Sequence, residues 1–224
     1  MVSENPKSSV VLLSGGLDSS VLLAKLVAEK RRVLALGVDY GQRHAREIDA
    51  ARAVCAHYGV PYRVADLRAV SAFFGANALT DKSVPVSEGA YSETGMKTTV
   101  VPARNLLLVS IAASWAIAEK CETVAYAAHG GDHAIYPDCR ENFAEKLDAV
   151  LRVADWNPLR LERPFVGMSK TEIVALGAKL DVPFGLTWSC YNGGEKHCGK
   201  CATCIERAQA FREAGVPDPT DYAA

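Results

Sequence analysis

The residues most able to do chemistry fall into two short clusters. The first is Ser14-Gly15-Gly16-Leu17-Asp18-Ser19-Ser20. Two adjacent glycines remove Cβ atoms where a backbone would curl around a ligand, and leave N–H groups free to converge on an anion. A helix starting near Asp18 aims its positive end at the same point. Ser14, Ser19 and Ser20 add hydroxyl donors. Asp18, a poor neighbour for a phosphate, suits a Mg2+ that bridges to one. These residues form a candidate phosphate cradle that matches neither the Walker string, which needs G-K-[ST], nor the dinucleotide string G-x-G-x-x-G. The plainer reading is a Gly-rich strand-to-helix turn whose Asp and Ser residues only cap the helix.

The second cluster is Cys190-x7-Cys198-x2-Cys201-x2-Cys204, four thiols within 15 residues, with Gly193, Gly194 and Gly199 allowing the chain to double back. Zn2+ takes four soft ligands tetrahedrally at about 2.3 Å, and a C-x2-C knuckle presents two of them from one turn. Disulfides and an iron–sulfur or redox site are the competing readings. A closed all-thiolate site has no open position to activate water, so its expected role is in folding. His197 beside Cys198 reads as a solvated neighbour and not a ligand, and Cys55 and Cys121 as small buried apolar residues.

Both clusters need a scaffold, and the apolar pattern supplies one. Residues 10–13 read as a buried strand running into the first cluster, which opens a helix. Strands over 33–39, 62–67 and 123–128 alternate with helices over 47–58 and 106–120, which implies right-handed parallel βαβ units. Residues 71–99 lack periodicity and read as a long loop of the kind that forms lids. Helices follow over 141–153 and from a Ser169 cap to about residue 180, with Glu172 at the capping-box position. A last Ala-rich helix ends near Gly215. The expected fold is α/β, a doubly wound parallel sheet over residues 8–185 with a small four-cysteine zinc-binding appendage, 186–224, packed on it.

Composition narrows the partners. The 224 residues are 49% hydrophobic and 23% charged, the soluble globular average, which excludes a disordered or collagenous chain. Lys plus Arg number 25 against 26 Asp plus Glu, so no general field attracts a nucleic-acid backbone. The longest uncharged apolar run, residues 106–118, is too short to span a bilayer. Seven cysteines and an opening without a secretory apolar segment point to reduced or metal-bound thiols and a cytoplasmic protein.

The first cluster resembles the PP-loop of ATP pyrophosphatases. Four further strings, Asp39-Tyr40-Gly41-Gln42-Arg43-His44, Val101-Pro102-Ala103-Arg104-Asn105, Tyr136-Pro137-Asp138-Cys139-Arg140 and Thr187-Trp188-Ser189-Cys190-Tyr191, are similar to those of the 7-cyano-7-deazaguanine (preQ0) synthase family. The likeness runs from about residue 10 to 215. It implies a PP-loop ATPase-like fold and a carbon–nitrogen ligase that uses ATP, with small-molecule partners and a homodimer. Such an enzyme converts 7-carboxy-7-deazaguanine and ammonia to the 7-cyano base by adenylation of the carboxylate, amide formation, a second adenylation and dehydration.

In a parallel sheet the acceptor's crevice lies outside the carboxyl ends of the strands. Tyr40 and Gln42 follow the second strand there, and His129, Asp132 and His133 follow the fourth. Asp132 offers an acceptor to a guanine-like N1–H and amine, and Tyr40 or Tyr136 a stacking face. Arg104 and Arg140 are candidate forks for a carboxylate or phosphate, although Arg104 reads equally as a helix-terminus ion pair. Lys170 sits in a first helical turn, where a cation opposes the dipole unless an anion such as a triphosphate is bound. Asp18, Lys170 and Arg104 are the expected catalytic set. Residues 129–133 depart from the family's Asn-Ala-Val-Asp-Tyr while retaining Asp132. Two other functions share some of these features. One is a PP-loop ligase or thiotransferase acting on tRNA, for which Cys139 would have to be an exposed reactive thiol; the other is a non-catalytic zinc-knuckle module that binds nucleotide.

Overall fold

The structure, a computed structural model, describes residues 7–43, 45–81, 83–89, 97–132 and 136–223, with only the backbone of Ala45 and Asp132. Five strands, β1 (Ser8–Leu12), β2 (Arg32–Asp39), β3 (Tyr62–Asp66), β4 (Thr123–Ala125) and β5 (Arg160–Glu162), pair in the order β3-β2-β1-β4-β5. Every pairing is parallel. Strands buried on both faces need apolar residues at successive positions, and β1 supplies them: Val10 enters one core and Val11 the other.

Helices cover both faces. On the Val11 side lie α1 (Leu17–Ala28), α2 (Ala45–Tyr58), α5 (Lys170–Lys179) and α6 (Ala202–Ala214), which contribute Leu22, Val54, Ile173 and Phe211. On the Val10 side lie α3 (Arg104–Ala118) and α4 (Glu141–Leu151), which contribute Val109 and Leu147. The doubly wound architecture expected from the sequence is therefore present. Among the described residues no helix is long and apolar enough to cross a membrane.

Local chemistry explains most boundaries. Ser169 and Glu172 make the full capping box: the Ser169 hydroxyl accepts from the Glu172 N–H at 3.2 Å, and the Glu172 carboxylate accepts from the Ser169 N–H at 2.8 Å. Gly215 closes α6 in the left-handed region at φ 65°. Three expectations are corrected. β4 stops at Ala125, well short of residue 128, as the chain leaves the sheet. β5 adds a strand that carries no apolar pattern in the sequence, because Leu161 is its one buried apolar residue. The 71–99 loop is anchored where it is described: Phe74, Ala78 and Leu79 are buried, the Asn77 side chain accepts from the N–H groups of Leu79 and Thr80, and Glu88 bridges to Cys201.

A polar residue fastens the C-terminal segment. Arg207 on α6 is 1% exposed and donates to the hydroxyls of Thr220 at 2.6 Å, Thr187 at 2.8 Å and Ser189 at 3.1 Å, and to the Phe184 carbonyl at 3.0 Å. Burial presses its pKa down, and Asp218 pulls against that shift. A fully buried guanidinium survives only with its donors satisfied, and here they tie residues 184–189 to residues 218–220.

Candidate active site

In an open parallel sheet the crevice forms where strand order reverses. That point lies between β1 and β4, and the loops leaving both strands flank a cavity of about 260 Å3. The loop from β1 is the glycine cluster. Gly15 lies at φ 85°, and a Cβ there would fall inside the Glu47 carbonyl and 2.6 Å from the Ala51 nitrogen, so α2 packs directly on its backbone. Gly16 is the N-cap of α1 and brings no side-chain cap of its own. The loop is braced instead by hydroxyls. Ser14 and Ser19 are 3.0 Å apart, Ser14 Oγ accepts from Gly16 N–H at 3.2 Å, and Ser19 and Ser20 both donate to the Gly16 carbonyl. Ser14, Gly16, Leu17, Asp18 and Ser19 line the cavity. Ser20 is fully buried and its hydroxyl is turned back along the helix, so it offers the cavity nothing.

Charge gathers behind the loop. The capping box delivers Lys170 as the first residue of α5, and its ammonium donates to Asp18 Oδ2 at 2.6 Å, with Glu206 of α6 at 3.4 Å. His129, 3% exposed, comes from the β4 loop and holds Nε2 4.0 Å from the same oxygen. Burial works to raise the Asp18 carboxyl, and Lys170 followed by His129 overcomes it, so its pKa lies below the ordinary value. Asp18 Oδ1 is buried with no hydrogen-bond partner. Among the described residues five buried side-chain atoms are orphaned in this way, and three of them, Asp18 Oδ1, Tyr62 Oη and Tyr126 Oη, belong to residues lining the cavity. Orphans concentrated in one cleft mark a place for a polar ligand or ion, and the anionic oxygen of Asp18 suits a hard cation.

The facing wall is assembled from distant segments. Tyr40 follows directly on β2, is buried, and lies against Arg104, whose charge counters the burial that raises the tyrosine pKa. Gln42 lines the cavity, but its amide is spent on backbone, accepting from Tyr40 N–H and donating to the Val38 carbonyl. Arg104 opens α3 directly after Ala103, which sits in the left-handed region at φ 51°. Burial opposes the guanidinium charge, but Tyr40, Tyr191, Cys139 and Asp138 around it hold the proton on. Asn105 donates its backbone N–H to Asp138 Oδ2 at 2.9 Å and its side chain to the Asp138 carbonyl at 3.1 Å, joining the 101–105 string to the 136–140 string. Tyr136 is buried in the lining with its hydroxyl 2.6 Å from that of Thr99. Arg140 is exposed at the N-cap of α4 and is not brought to the cavity. Of Asp132 the backbone lies in a 3-10 turn after β4, and its side chain is outside the described atoms, as is all of His133. Cys139 is 3% exposed and its sulfur accepts from Asn105, which removes it as an exposed thiol.

The four cysteines converge. Their sulfurs lie within 4.8 Å of one another, with Cys198–Cys204 at 3.9 Å and Cys201–Cys204 at 3.4 Å. A tetrahedral ion with sulfurs at about 2.3 Å sets them roughly 3.8 Å apart, so the arrangement fits a metal ion. Backbone N–H groups of Asn192 and Cys198 point at Cys190 Sγ, and those of Lys200 and Cys201 at Cys198 Sγ, which favours thiolate. The cluster touches the glycine loop: Trp188, packed against it, donates its backbone N–H to the Gly15 carbonyl at 2.9 Å. His197 is not solvated. It is 6% exposed, stacks on Trp188 at 4.2 Å and accepts from Ser189 N–H at 3.0 Å; burial, then Arg207, pushes its pKa down to about 4.

The profile of the queuosine biosynthesis protein QueC matches residues 8–215. The chain belongs to the QueC family. A 7-cyano-7-deazaguanine synthase of Marinobacter nauticus is 49% identical over 215 residues, covering 96% of this chain and 97% of that protein. One from Rhizobium meliloti is 49% identical over 216 residues, covering 96% and 91%. Among solved structures, NMN synthetase from Francisella tularensis is 16% identical, covers 95% of this chain and 79% of that one, and has a TM-score of 0.55. A 4-thiouridine synthetase in an RNA complex with bound ATP is 15% identical, with coverages of 93% and 50% and a TM-score of 0.51. These two share the fold, a PP-loop ATPase-like α/β sheet.

For this QueC-family chain, sequence reasoning passed over several residues of the site. Glu47 lines the cavity, and its pKa is raised to about 7 by burial against the pull of Arg104. Its signal was present, a lone acid in the first turn of a helix eight residues after a strand, but nothing local says which way it faces. Tyr62 owes its place to Gly37 on the neighbouring strand, where a Cβ would meet the phenol ring at 2.7 Å. That pairing follows only from the β2–β3 register.

Proposed function

We propose that the chain is a 7-cyano-7-deazaguanine synthase that converts 7-carboxy-7-deazaguanine and ammonia to the nitrile at the expense of ATP. The observation that carries this reading is the 49% identity, over 96% of the chain, to relatives of that name. The geometry supports it. A carboxylate resists ammonia because oxide leaves poorly and the anion repels nucleophiles, and adenylation removes both obstacles. Ammonia then displaces AMP to give an amide, and activation of the amide oxygen by a second ATP allows dehydration.

The assigned roles follow. The loop of Ser14, Gly15, Gly16, Leu17, Asp18, Ser19 and Ser20 shapes the triphosphate site, through backbone N–H groups and the hydroxyls of Ser14 and Ser19. Lys170 exchanges its Asp18 contact for the departing pyrophosphate, and Arg104 stabilises charge at the acceptor carboxylate. Tyr40 and Tyr136 hold the deazapurine, Gln42 braces the turn that carries Tyr40, and Asp132 remains a proposed substrate contact. Mg2+ would sit at Asp18 Oδ1 and neutralise phosphate charge. Zn2+ would sit on Cys190, Cys198, Cys201 and Cys204 in a structural role, making residues 186–224 a metal-stapled segment on the 8–185 ATP-binding domain. Cytoplasmic placement and a homodimer, without a nucleic-acid or membrane partner, complete the reading, and light scattering tests the dimer.

The deciding experiment incubates the chain with ATP, Mg2+, ammonia and 7-carboxy-7-deazaguanine, and follows pyrophosphate and the deazapurine by mass. Nitrile with two AMP per turnover is expected. Absence of pyrophosphate in the presence of the acid would overturn the reading.

A further inference from the structure

Three carboxylates among the described residues line the cavity: Asp18, Glu206 and Glu47. Asp18 is bonded to Lys170 at 2.6 Å and Glu206 lies 3.4 Å from the same ammonium. The Glu47 carboxylate has no hydrogen bond or ion pair among the described residues; burial and the charge of Arg104 are what act on it. Its backbone is fixed, since the first turn of α2 lies against Gly15 of the phosphate loop. We propose that Glu47 is the general base that takes protons from the nitrogen of the incoming ammonia during amide and nitrile formation.

The inference rests on the function proposed above, because that chemistry creates the need. Ammonia enters with three N–H bonds, and the nitrile nitrogen has none. In the first stage the nitrogen lone pair forms the C–N bond, the C–O bond to the phosphate breaks, and AMP leaves with that electron pair. One N–H proton must go to a base to leave the neutral amide. In the second stage the amide oxygen is adenylated with loss of pyrophosphate, and the C–O bond breaks to release AMP. Two further protons leave, and their N–H electron pairs complete the triple bond. Nothing is oxidised or reduced, and three protons leave one nitrogen.

A carboxylate already held by an ammonium is a weak base for this work. Glu47 lies near Arg104 of α3, Tyr40 just after β2 and Tyr62 of β3. Of these Arg104 favours its ionised form, and burial outweighs that pull, bringing the pKa to about 7. A base near the working pH is the efficient choice for general base catalysis.

The test is Glu47→Gln in the full, metal-loaded chain, with two readouts: ATP–pyrophosphate exchange driven by 7-carboxy-7-deazaguanine without ammonia, and single-turnover nitrile formation with it. Nitrile formation is expected to fall by about 10²–10⁴-fold while exchange falls far less, and Glu47→Asp should recover part of the loss. Wild-type nitrile formation at constant free ammonia should rise with pH to a plateau with a midpoint near 7. Wild-type nitrile rates in Glu47→Gln would overturn the proposal, as would an equal fall in both readouts. A flat wild-type profile would overturn it even if the variant did not fold. If the wild-type chain itself shows no exchange with this acid, the function reading fails and the inference falls with it, whereas a loss confined to the nitrogen steps leaves that reading standing.

Discussion

The glycine loop and the cysteine knuckle are both short motifs within one contiguous stretch, yet they hold themselves together in opposite ways. In the loop every brace is a bond between protein groups: Ser14 to Ser19, Ser20 to Gly16, and Asp18 to Lys170. In the knuckle the four sulfurs face one another. As thiolates they repel; when they share protons, sulfur-to-sulfur hydrogen bonds raise the pKa of Cys190 and Cys204 and lower that of Cys201. A dication at their centre reverses that repulsion. The loop is therefore built for a ligand that comes and goes, and the knuckle for one that stays. The two are coupled, because the Trp188 backbone N–H bonds to the Gly15 carbonyl.

The largest effect that sharpens this contrast is expected at the knuckle. Cys201→Ala, or a strong chelator on the wild-type chain, should remove the metal and lower stability by a large share of the roughly 10 kcal/mol that structural zinc contributes to folding in small sites. Metal analysis and thermal melting read this directly. A variant with unchanged metal content and melting temperature would break the comparison. ATP affinity should weaken as well, through Trp188.

Asp18→Ala should do the reverse, with a loss of kcat of at least about 10²–10³-fold, the scale of removing a charge-stabilising group from an active site, and little change in melting. The fold tolerates it because Lys170 keeps Glu206 at 3.4 Å. Turnover at the wild-type rate would remove Asp18 from its assigned role. Next in size is Gly15→Ala. Its φ of 85° and the crowding by Glu47 and Ala51 make a cost of about 2 kcal/mol the expectation, with ATP binding weakened more than the metal site. Equal loss of both would mean that the loop and the knuckle are one cooperative unit.

These contrasts also explain what could be read from the sequence. Ser14 to Ser19 and the four cysteines were legible because their partners are near neighbours in the chain, and spacing alone carries the geometry. The strands and most helices were legible for the same reason, through apolar period and caps such as Ser169 with Glu172. The pairing of Lys170 with Asp18 spans 152 residues, and that of Asn105 with Asp138 spans 33. Such contacts depend on strand order, which no local pattern states. Arg140 stands out because its string resembles the family's, but it is exposed at the N-cap of α4 and outside the cavity lining. Arg207 and Glu47 were passed over since a charged residue on a helix is usually solvated, and only the packing reveals that Arg207 is enclosed and that Glu47, half-buried, lines the cavity.

The smallest effect expected is also the most exacting. Glu47 has its pKa raised to about 7 from 4.5, so between those values the native chain binds more protons than the unfolded one. Stability from this group is then greatest below about pH 4.5, falls as pH rises through the window, and is flat above about 7. Glu47→Gln removes that slope, so the variant should gain on the wild type as pH rises, by on the order of 2 kcal/mol at pH 8 after allowance for screening through the cavity mouth. Paired melting curves from pH 5 to 8 isolate the term, since every other titrating group cancels in the difference. A gap that does not widen with pH would mean Glu47 is solvated and already ionised at neutral pH, and the cavity wall would then be as open as the phosphate loop it faces.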